Sequence, residues 1–301
     1  MFDRNAARHA PTYGPFCLAE YPCALCHSSK TGVIMTKAGR ATGTSFDVVR
    51  CSECKHVYVN PRIADADLSA LYDEGYYRGE GFDENVDYAT APTEWTLREN
   101  EDIIATISEA LARPLVSVRW LDVGCGTGRL VEAARAAGAE AVGFDESGAA
   151  VRACAARGLP VLGLEDINDS TGTFDVVSAI QVIEHVADPV GFVRFLSSLV
   201  RVGGIIYIHT ENWNVVRHLP GTGYVMPEGH IQYFTPQAMR TLLKHCDLVE
   251  VPVFNRVWFV WRRLPVSLRK LVSPRARGIC YKLLLKFLAG YATFPVARRV
   301  R

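Results

Sequence analysis

The 301-residue sequence lacks a long apolar run. No window approaches the roughly eighteen uncharged apolar residues that a membrane-spanning helix needs. The N-terminal residues also lack the apolar core that is typical of a secretory signal peptide. These two absences argue against a membrane span and an export signal, and they predict a cytoplasmic protein.

The sequence also lacks the disulfide framework of small secreted domains. Its nine cysteines are scattered, and four of them form two Cys-x-x-Cys pairs. This usage fits a reducing compartment. No thioredoxin-like strand–helix–strand pattern surrounds either pair, which disfavours a redox function for them.

Acidic residues are absent after Glu250. From Val251 onward there are 12 lysines and arginines, whereas residues 1–250 carry a net charge of −11. Within this basic tail, residues 279–288 are nearly all apolar, with Lys282 and Lys286 on one helical side. Such a segment is typical of a helix that lies on an anionic lipid surface. The alternative is a helix packed on the protein core or on a partner subunit.

The centre of the chain carries three alternate glycines after an apolar run. Residues 116–123 predict a buried strand that ends close to Asp122, and helix-spaced apolar residues follow the glycines. These glycines are Gly124, Gly126 and Gly128. A strand that passes through glycines into a helix exposes bare backbone at the helix N-terminus, which suits a nucleotide-like ligand.

The spacing of these glycines discriminates between cofactors. A dinucleotide fingerprint has glycines at its first, third and sixth positions, whereas the sixth position here is Arg129. The pattern Asp-x-Gly-x-Gly-x-Gly instead resembles the S-adenosylmethionine (SAM) loop of class I methyltransferases; the alternative is a tight turn that binds nothing. The resemblance implies that the methionine part of SAM lies on Asp122, Gly124, Cys125, Gly126 and Gly128.

Three later segments extend the resemblance. A second strand ends at Asp145, where a carboxylate can accept hydrogen bonds from both ribose hydroxyls. Residues 161–166 predict a third strand, whose terminal acid meets the adenine amino group in the resembled family. A fourth strand, residues 174–180, leads into Gln181-Val-Ile-Glu-His-Val-Ala-Asp-Pro189, which resembles the Glu-His-Val-x-x-Pro signature of ubiquinone and sugar methyltransferases. The resemblance implies further SAM contacts from Asp145, Glu146, Asp166, Ile167 and Gln181.

The two Cys-x-x-Cys knuckles are separated by 24 residues. Four thiolates can hold Zn²⁺ in a tetrahedral site, and a module this small gains much of its stability from the metal. The predicted ligands are Cys23, Cys26, Cys51 and Cys54. His27 and His56 each follow a knuckle and could replace a thiolate. The run from the second knuckle through Asn60-Pro61 to an aromatic pair resembles methyltransferases that carry an N-terminal zinc-binding module.

The alternation of strands and helices predicts the fold class. Helices at 128–138, 147–157 and 189–201 separate the strands, as in an α/β, Rossmann-like, doubly wound sheet. We expect a seven-stranded mixed sheet whose last two strands form a hairpin from residues 248–254 and 257–261. The predicted domains are a loose arm (1–20), a zinc ribbon (21–62), a helical connector (63–112), a SAM-binding methyltransferase core (113–262) and a basic amphipathic tail (263–301).

Two histidines are the candidate catalytic residues. Methyl transfer to a hydroxyl requires removal of a proton, and histidine is suited to this near neutral pH. His185 follows the fourth strand, at the carboxyl edge of the sheet where open α/β proteins bind ligands. His230 precedes the last predicted helix of the core. His185 could act as the base or as a hydrogen-bonded wall of the cleft.

The sequence thus predicts a SAM-dependent methyltransferase that modifies a hydroxyl of a sugar, glycan or lipid-linked intermediate, with SAM and structural Zn²⁺ as cofactors. Membrane contact through the tail would favour a lipid-linked acceptor. Three alternatives stay open: an RNA methyltransferase, a sugar C-methyltransferase and a SAM-binding scaffold without catalysis. Residues 21–60 carry only five basic side chains against two acidic ones, which disfavours RNA. The zinc-bearing C-methyltransferases have Tyr-x-Glu-His where this chain has Pro227, Gly229 and His230, which disfavours carbon methylation.

Overall fold

The computed structural model describes residues 16–72, 75–78, 81–83, 94–218, 225–251, 292–293 and 296–300. Its strands are β1 (Leu18–Ala19), β2 (Thr31–Ala38), β3 (Ser45–Cys51), β4 (Val57–Val59), β5 (Arg62–Ile63), β6 (Arg119–Val123), β7 (Glu140–Phe144), β8 (Phe174–Ile180), β9 (Val200–Glu211), β10 (Gln232–Tyr233), β11 (Leu248–Glu250), β12 (Ala292–Thr293) and β13 (Val296–Arg299). Its α-helices are α1 (Asp65–Leu68), α2 (Glu94–Leu111), α3 (Arg129–Ala136), α4 (Gly148–Ala156), α5 (Leu164–Asn168), α6 (Pro189–Leu199), α7 (Trp213–Val216) and α8 (Pro236–His245). Short 3₁₀ turns lie at Ser69–Tyr72, Tyr76–Arg78 and Ile183–His185. The helices in this part of the chain are all too short or too polar to cross a membrane.

The central sheet contains seven strands within the described residues, and six of them run in the order β11-β13-β9-β8-β6-β7. Four neighbours, β9, β8, β6 and β7, are parallel. Strand β13 is antiparallel to both β9 and β11, and β12 pairs antiparallel with the end of β9. The prediction of a mixed, seven-stranded, Rossmann-like sheet is therefore confirmed.

Helices cover both faces of this sheet, because the strand side chains alternate between two apolar cores. Leu121 of β6 packs in the core that contains residues of α6 and α8. Its neighbour Trp120 packs in the other core, with Ile107 of α2 and Val131 of α3. The parallel strands are consequently buried on both sides, as expected for a doubly wound fold.

The predicted third strand is wrong beyond a single residue. Val161 makes one parallel bridge to Gly143, and the chain then turns into α5. The Gly163 amide donates a 3.1 Å hydrogen bond to Asp166 Oδ2, and the Ile167 amide donates to the Gly163 carbonyl. A capped helical turn therefore replaces the apolar strand that the residue pattern predicted, since the cap satisfies amides that a helix start leaves unpaired.

Of the predicted C-terminal hairpin, only residues 248–251 lie within the described part of the chain. Strand β11 pairs with β13, from the end of the chain, and residues 257–261 lie outside the described residues. Val296 of β13 is fully buried, and Arg299 donates hydrogen bonds to the carbonyls at the C-terminus of α6. The last strand thus belongs to the core sheet, not to the tail to which the sequence assigned it. Residues 279–288 of that tail lie outside the described residues.

The N-terminal module forms a second sheet, ordered β10-β4-β3-β2. Strands β2 and β3 join at a turn in which Gly43 has φ of +67°. The edge strand β10 comes from the core, just after His230. The module is therefore built into the core by backbone pairing.

Candidate active site

The glycine loop connects β6 to α3 in left-handed backbone conformations. The φ angles of Gly124, Gly126 and Gly128 are +70°, +52° and +76°. A Cβ on Gly124 would lie 2.4 Å from Val182 Cγ2, and one on Gly128 would lie 2.6 Å from Leu159 Cδ1. Both the backbone conformation and the close packing therefore require glycine at these two positions.

Asp145 holds this loop in place. Its Oδ2 accepts a 2.9 Å hydrogen bond from the Gly126 amide, and its Oδ1 accepts one of 2.9 Å from the Ser147 amide. The side chain is half-buried, and burial raises its pKa above the ordinary value, against the opposing effect of the two amides. Each carboxylate oxygen has lone pairs to spare, so the same group can still accept hydrogen bonds from ribose hydroxyls.

Asp122 lies inside the sheet, beneath the loop. Its Oδ1 accepts a 2.6 Å hydrogen bond from Ser178 Oγ, and the Trp120 indole donates to that same hydroxyl at 2.8 Å. Burial raises the pKa of Asp122 from 3.8 to about 7, with a further contribution from the Asp145 charge and an opposing one from Ser178. Sequence reasoning missed Ser178, whose role only the pairing of β6 with β8 reveals.

The other predicted cofactor residues fall into different surroundings. Glu146 is exposed, and the exposed side chain of Asp166 caps α5. Ile167 is fully buried in the core, and Cys125 is 8% exposed, with its sulfur against Gly143. Gln181, at φ of +54°, donates a 2.6 Å hydrogen bond to Glu211 Oε1. The structure therefore brings together the glycine loop and Asp145, while Ile167 supports them from the core.

The two candidate catalytic histidines meet across the cleft. Their ring centroids are 4.7 Å apart at an interplanar angle of 69°. His185 Nδ1 lies 3.0 Å from the Gly229 carbonyl oxygen and 2.8 Å from Tyr72 Oη. Burial and the neighbouring His230 lower the pKa of His185 to about 3. His185 is therefore neutral near pH 7, and Tyr72 is a partner that sequence reasoning did not identify.

Buried acids line the same edge of the sheet. Glu184 is 2% exposed; burial and the Glu211 charge raise its pKa well above the ordinary value, against an opposing effect of Thr210. Burial also raises the pKa of Glu211 to about 7. The amide oxygen of Gln181 is buried and unpartnered. Glu211 ends a parallel strand in an acid, so this signal could have identified it from the sequence.

The four knuckle thiols converge on one point. Their sulfurs all lie within 4.8 Å of one another, with Cys23 Sγ 3.4 Å from Cys54 Sγ and Cys26 Sγ 3.5 Å from Cys51 Sγ. A tetrahedral Zn²⁺ with bonds of about 2.3 Å separates its sulfurs by about 3.8 Å, so the donor set fits that metal. His56 instead lies 2.8 Å from Gln232 Oε1 through Nε2. The histidine alternatives are therefore unnecessary for four-coordination.

Comparison with known proteins agrees with this geometry. A family model described as "Methyltransferase domain" matches residues 93–252, just over half of the chain. The ubiquinone biosynthesis O-methyltransferase of Rhizobium rhizogenes is 40% identical over 109 residues, which are 34% of this chain and 44% of that protein. The protein of the same name from Parvibaculum lavamentivorans is 33% identical over 141 residues, covering 43% and 56%. The matches thus span about half the length of these curated relatives.

Among solved structures, the 1,6-didemethyltoxoflavin-N1-methyltransferase of Burkholderia thailandensis superimposes with a TM-score of 0.50. The identity is 14%, and the match covers 83% of this chain and 98% of that one, which shows a likeness of fold. Its structure contains S-adenosylhomocysteine. Together with the glycine loop and the parallel sheet, the family match shows that this chain belongs to the SAM-dependent methyltransferases of class I fold.

Proposed function

We propose that this protein transfers the methyl group of SAM to a hydroxyl of a small-molecule acceptor, namely a sugar, a glycan or a lipid-linked intermediate. The observation that carries the proposal is the contact between His185 and His230 at the carboxyl edge of the sheet. Val182, three residues before His185, packs directly against the glycine loop. A pair of imidazoles therefore lies next to the cofactor loop, where an acceptor hydroxyl must meet the methyl donor.

SAM supplies an electrophilic methyl group on a sulfonium. In this proposal the backbone of Gly124–Gly128 carries the methionine part, Asp145 accepts from the ribose, and Asp122 supports the loop from below. The bare backbone and the left-handed glycines favour a ligand in close contact with the loop.

The two histidines have different roles in this proposal. In this proposal the proton of neutral His185 lies on Nδ1, where the Gly229 carbonyl and the Tyr72 hydroxyl can both accept it, and the lone pair lies on Nε2. With a pKa lowered to about 3, His185 is a weak base that orients the hydroxyl. His230 then takes the proton. Because His185 stays neutral, an imidazolium ion at His230 meets no second positive charge at the centroid distance of 4.7 Å.

The buried acceptor oxygens favour an acceptor with several hydroxyls. The amide oxygen of Gln181 is buried without a hydrogen-bond partner, and Glu184 is 2% exposed. Leaving such atoms unpaired costs about 1–3 kcal/mol each, which hydroxyl donors of a bound sugar would offset. These buried groups support a sugar or glycan over a purely apolar acceptor. The proposal of a lipid-linked sugar depends in addition on the apolar and basic residues 279–288, which lie outside the described residues.

In the same proposal, Cys23, Cys26, Cys51 and Cys54 hold a structural Zn²⁺. The supporting observation is the convergence of four sulfurs within 4.8 Å of one another. One edge of the module's sheet is occupied by β10 of the core. The module therefore supports the acceptor side by direct pairing, which favours a small-molecule acceptor over RNA.

The proposal is tested first by calorimetric titration with S-adenosylhomocysteine and NADH, on zinc-loaded wild-type protein and Asp145→Ala. We expect binding of S-adenosylhomocysteine only, weakened about 10-fold or more in the variant because two charge-assisted hydrogen bonds are lost. Transfer of labelled methyl groups to nucleotide-linked sugars, glycans and lipid-linked sugars then identifies the acceptor. Failure of the folded, zinc-loaded protein to bind S-adenosylhomocysteine would overturn the proposal.

His230→Gln tests the assignment of the base, with the exposed His245→Gln as a matched control. We expect kcat to fall by about 10²–10⁴-fold in His230→Gln, the usual worth of a positioned general base. The affinity for S-adenosylhomocysteine and the activity of His245→Gln should not change. A fully active His230→Gln would remove His230 from the chemistry.

A further inference from the structure

A buried glutamate joins the cysteine module to the loop that carries His230. Glu228 is 1% exposed. Its carboxylate accepts hydrogen bonds from three consecutive amides of the β2–β3 turn: 2.8 Å from Arg40, 3.0 Å from Ala41 and 2.6 Å from Thr42. A carboxylate that accepts several amide hydrogen bonds is strongly fixed in position. The contact links residues that are 186–188 positions apart in the chain.

Further contacts hold the same loop against the same module. The Lys37 ammonium donates a hydrogen bond to the Val225 carbonyl, and the Val59 amide donates to the Ile231 carbonyl at 3.0 Å. Gly39 lies so close that a Cβ on it would be 2.5 Å from the Glu228 side chain. The loop therefore takes its position from the module on both sides of Glu228.

The next residue transmits this position to the histidine pair. The Gly229 carbonyl oxygen lies 3.0 Å from His185 Nδ1, and a Cβ on Gly229 would lie 2.1 Å from Phe82 Cζ. The Gly229 backbone is thus confined between an aromatic ring and the imidazole. Any displacement of Glu228 must move the carbonyl that orients His185.

We propose that Glu228 is a positioning residue, which anchors the acceptor-side loop to the turn of the cysteine module and so fixes the ring orientation and tautomer of His185. The inference rests on the proposed function only in assigning His185 to the acceptor site. It makes the module a scaffold for that site, whereas the hydrogen bonds that hold the glycine loop come from Asp145 and from β7. A merely stabilising role for Glu228 would leave the tautomer of His185 unchanged.

The experiment measures the imidazole nitrogen signals of His185 by NMR on zinc-loaded protein labelled with ¹⁵N-histidine. His185→Gln assigns the signals. We expect the wild type to show one tautomer, protonated on Nδ1. Glu228→Gln retains one acceptor oxygen, and Glu228→Ala retains none. The share of the second tautomer should therefore rise from the wild type to Glu228→Gln and further to Glu228→Ala.

A second pair of variants perturbs the contact from the other side. Gly39→Ala introduces a Cβ 2.5 Å from the Glu228 side chain, whereas Gly32→Ala, in the same strand pair, meets nothing within 4 Å. Neither glycine has a left-handed φ, so alanine fits both backbones. We expect Gly39→Ala to shift the His185 signals in the same direction as Glu228→Gln, and Gly32→Ala to leave them unchanged. This pair keeps the test valid where Glu228→Ala does not fold.

Affinity for S-adenosylhomocysteine and zinc content are measured on the same samples. The inference is supported if Glu228→Gln and Gly39→Ala alter the His185 signals while they keep one zinc per chain and an affinity for S-adenosylhomocysteine within twofold of wild type. Unaltered His185 signals in folded Glu228→Gln and Gly39→Ala would overturn the inference. Because the signals are read without an acceptor, failure to find a methylated product would count against the proposed function alone.

Discussion

The glycine loop and the histidine pair, which we propose to be the cofactor side and the acceptor side of the active site, are built in opposite ways. The cofactor loop, its helix and Asp145 lie within one continuous strand–helix–strand segment, β6 to β7, and hold each other by local hydrogen bonds. The acceptor side joins Tyr72, His185 and the loop at Glu228, which come from distant parts of the chain. One half therefore depends on short-range geometry, and the other depends on the cysteine module.

The comparison suggests that the two halves can be disabled separately. Backbone contacts of the cofactor loop are internal to the core sheet, so loss of the module should leave them in place. The acceptor loop is held by the module through amides and a paired strand. The first two predictions below test this separation, from the larger expected effect on activity or affinity to the smaller, and the third tests the burial of Asp122 beneath the glycine loop.

The largest effect is expected from Cys51→Ala, which removes one of four thiolates and with it most of the metal affinity. Acceptor methylation should fall by about 10²-fold or more, since displacement of a positioning loop by about 1 Å can cost that much. Affinity for S-adenosylhomocysteine should stay within about threefold, because the hydrogen bonds that hold the glycine loop come from Asp145 and from β7. Metal analysis, turnover and calorimetry measure the three quantities.

Cys17→Ala is the matched control, because Cys17 is exposed and lies outside the cluster. It should retain zinc, turnover and cofactor affinity. A parallel loss of cofactor affinity in Cys51→Ala would show that the two halves are not separable.

A smaller effect is expected from Gly124→Ala on the cofactor side. The new Cβ would lie 2.4 Å from Val182 in a residue with φ of +70°. We expect the affinity for S-adenosylhomocysteine to fall by about 10-fold or more, since left-handed strain alone costs about 1–3 kcal/mol. Gly172→Ala, with φ of +65° and nothing within 4 Å, carries the strain without the clash and lies outside the loop. Equal affinities in the two variants would contradict the close-packed loop.

The third prediction concerns stability and not activity: it is a pH dependence of the free energy of unfolding from Asp122. Its pKa is raised by burial from 3.8 to about 7, so the folded state binds a proton that the unfolded state releases. The free energy of unfolding should therefore decrease as pH rises from about 4 to 7, by roughly 4 kcal/mol at most. Asp122→Asn cannot ionise, so we expect it to gain stability over the wild type at pH 8 relative to pH 5.

Asp175→Asn is the control, because the pKa of Asp175 is shifted in the opposite direction from that of Asp122. Burial raises the pKa of Asp175, but the Arg119 amide and the Arg201 guanidinium outweigh this and lower it below the ordinary value. Asp175 is ionised at both pH 5 and pH 8, in the folded and in the unfolded state, and its contribution to the free energy of unfolding is lost only at lower pH. Asp175→Asn should therefore change stability equally at pH 5 and pH 8. Urea unfolding at the two pH values measures both variants. A flat difference for Asp122→Asn would contradict its raised pKa.

The comparison also explains which parts of the site could be predicted. The glycine spacing, the acid after the second strand and the two knuckles are short patterns that can be recognised in the sequence, and the structure brings their residues together as expected. Glu228 lies two residues before His230, a candidate catalytic residue, yet no sequence pattern linked Glu228 to the β2–β3 turn. The helical turn at Asp166 was likewise not predicted. The apolar pattern there indicated a strand, whereas a side-chain hydrogen bond from the Gly163 amide to Asp166 caps a short helix.

The sequence by itself determined the alternation of strands and helices, the glycine loop and the two Cys-x-x-Cys pairs, since hydrophobic periodicity, glycine conformation and residue spacing can be recognised within short stretches. Only the tertiary structure decided that β13 completes the core sheet, that His185 meets His230, and that Glu228 joins the module to the acceptor loop. These are pairings between distant segments. Such pairings are determined by the burial of apolar side chains and by the need of buried backbone amides for hydrogen-bond acceptors, and no single stretch of the chain encodes them.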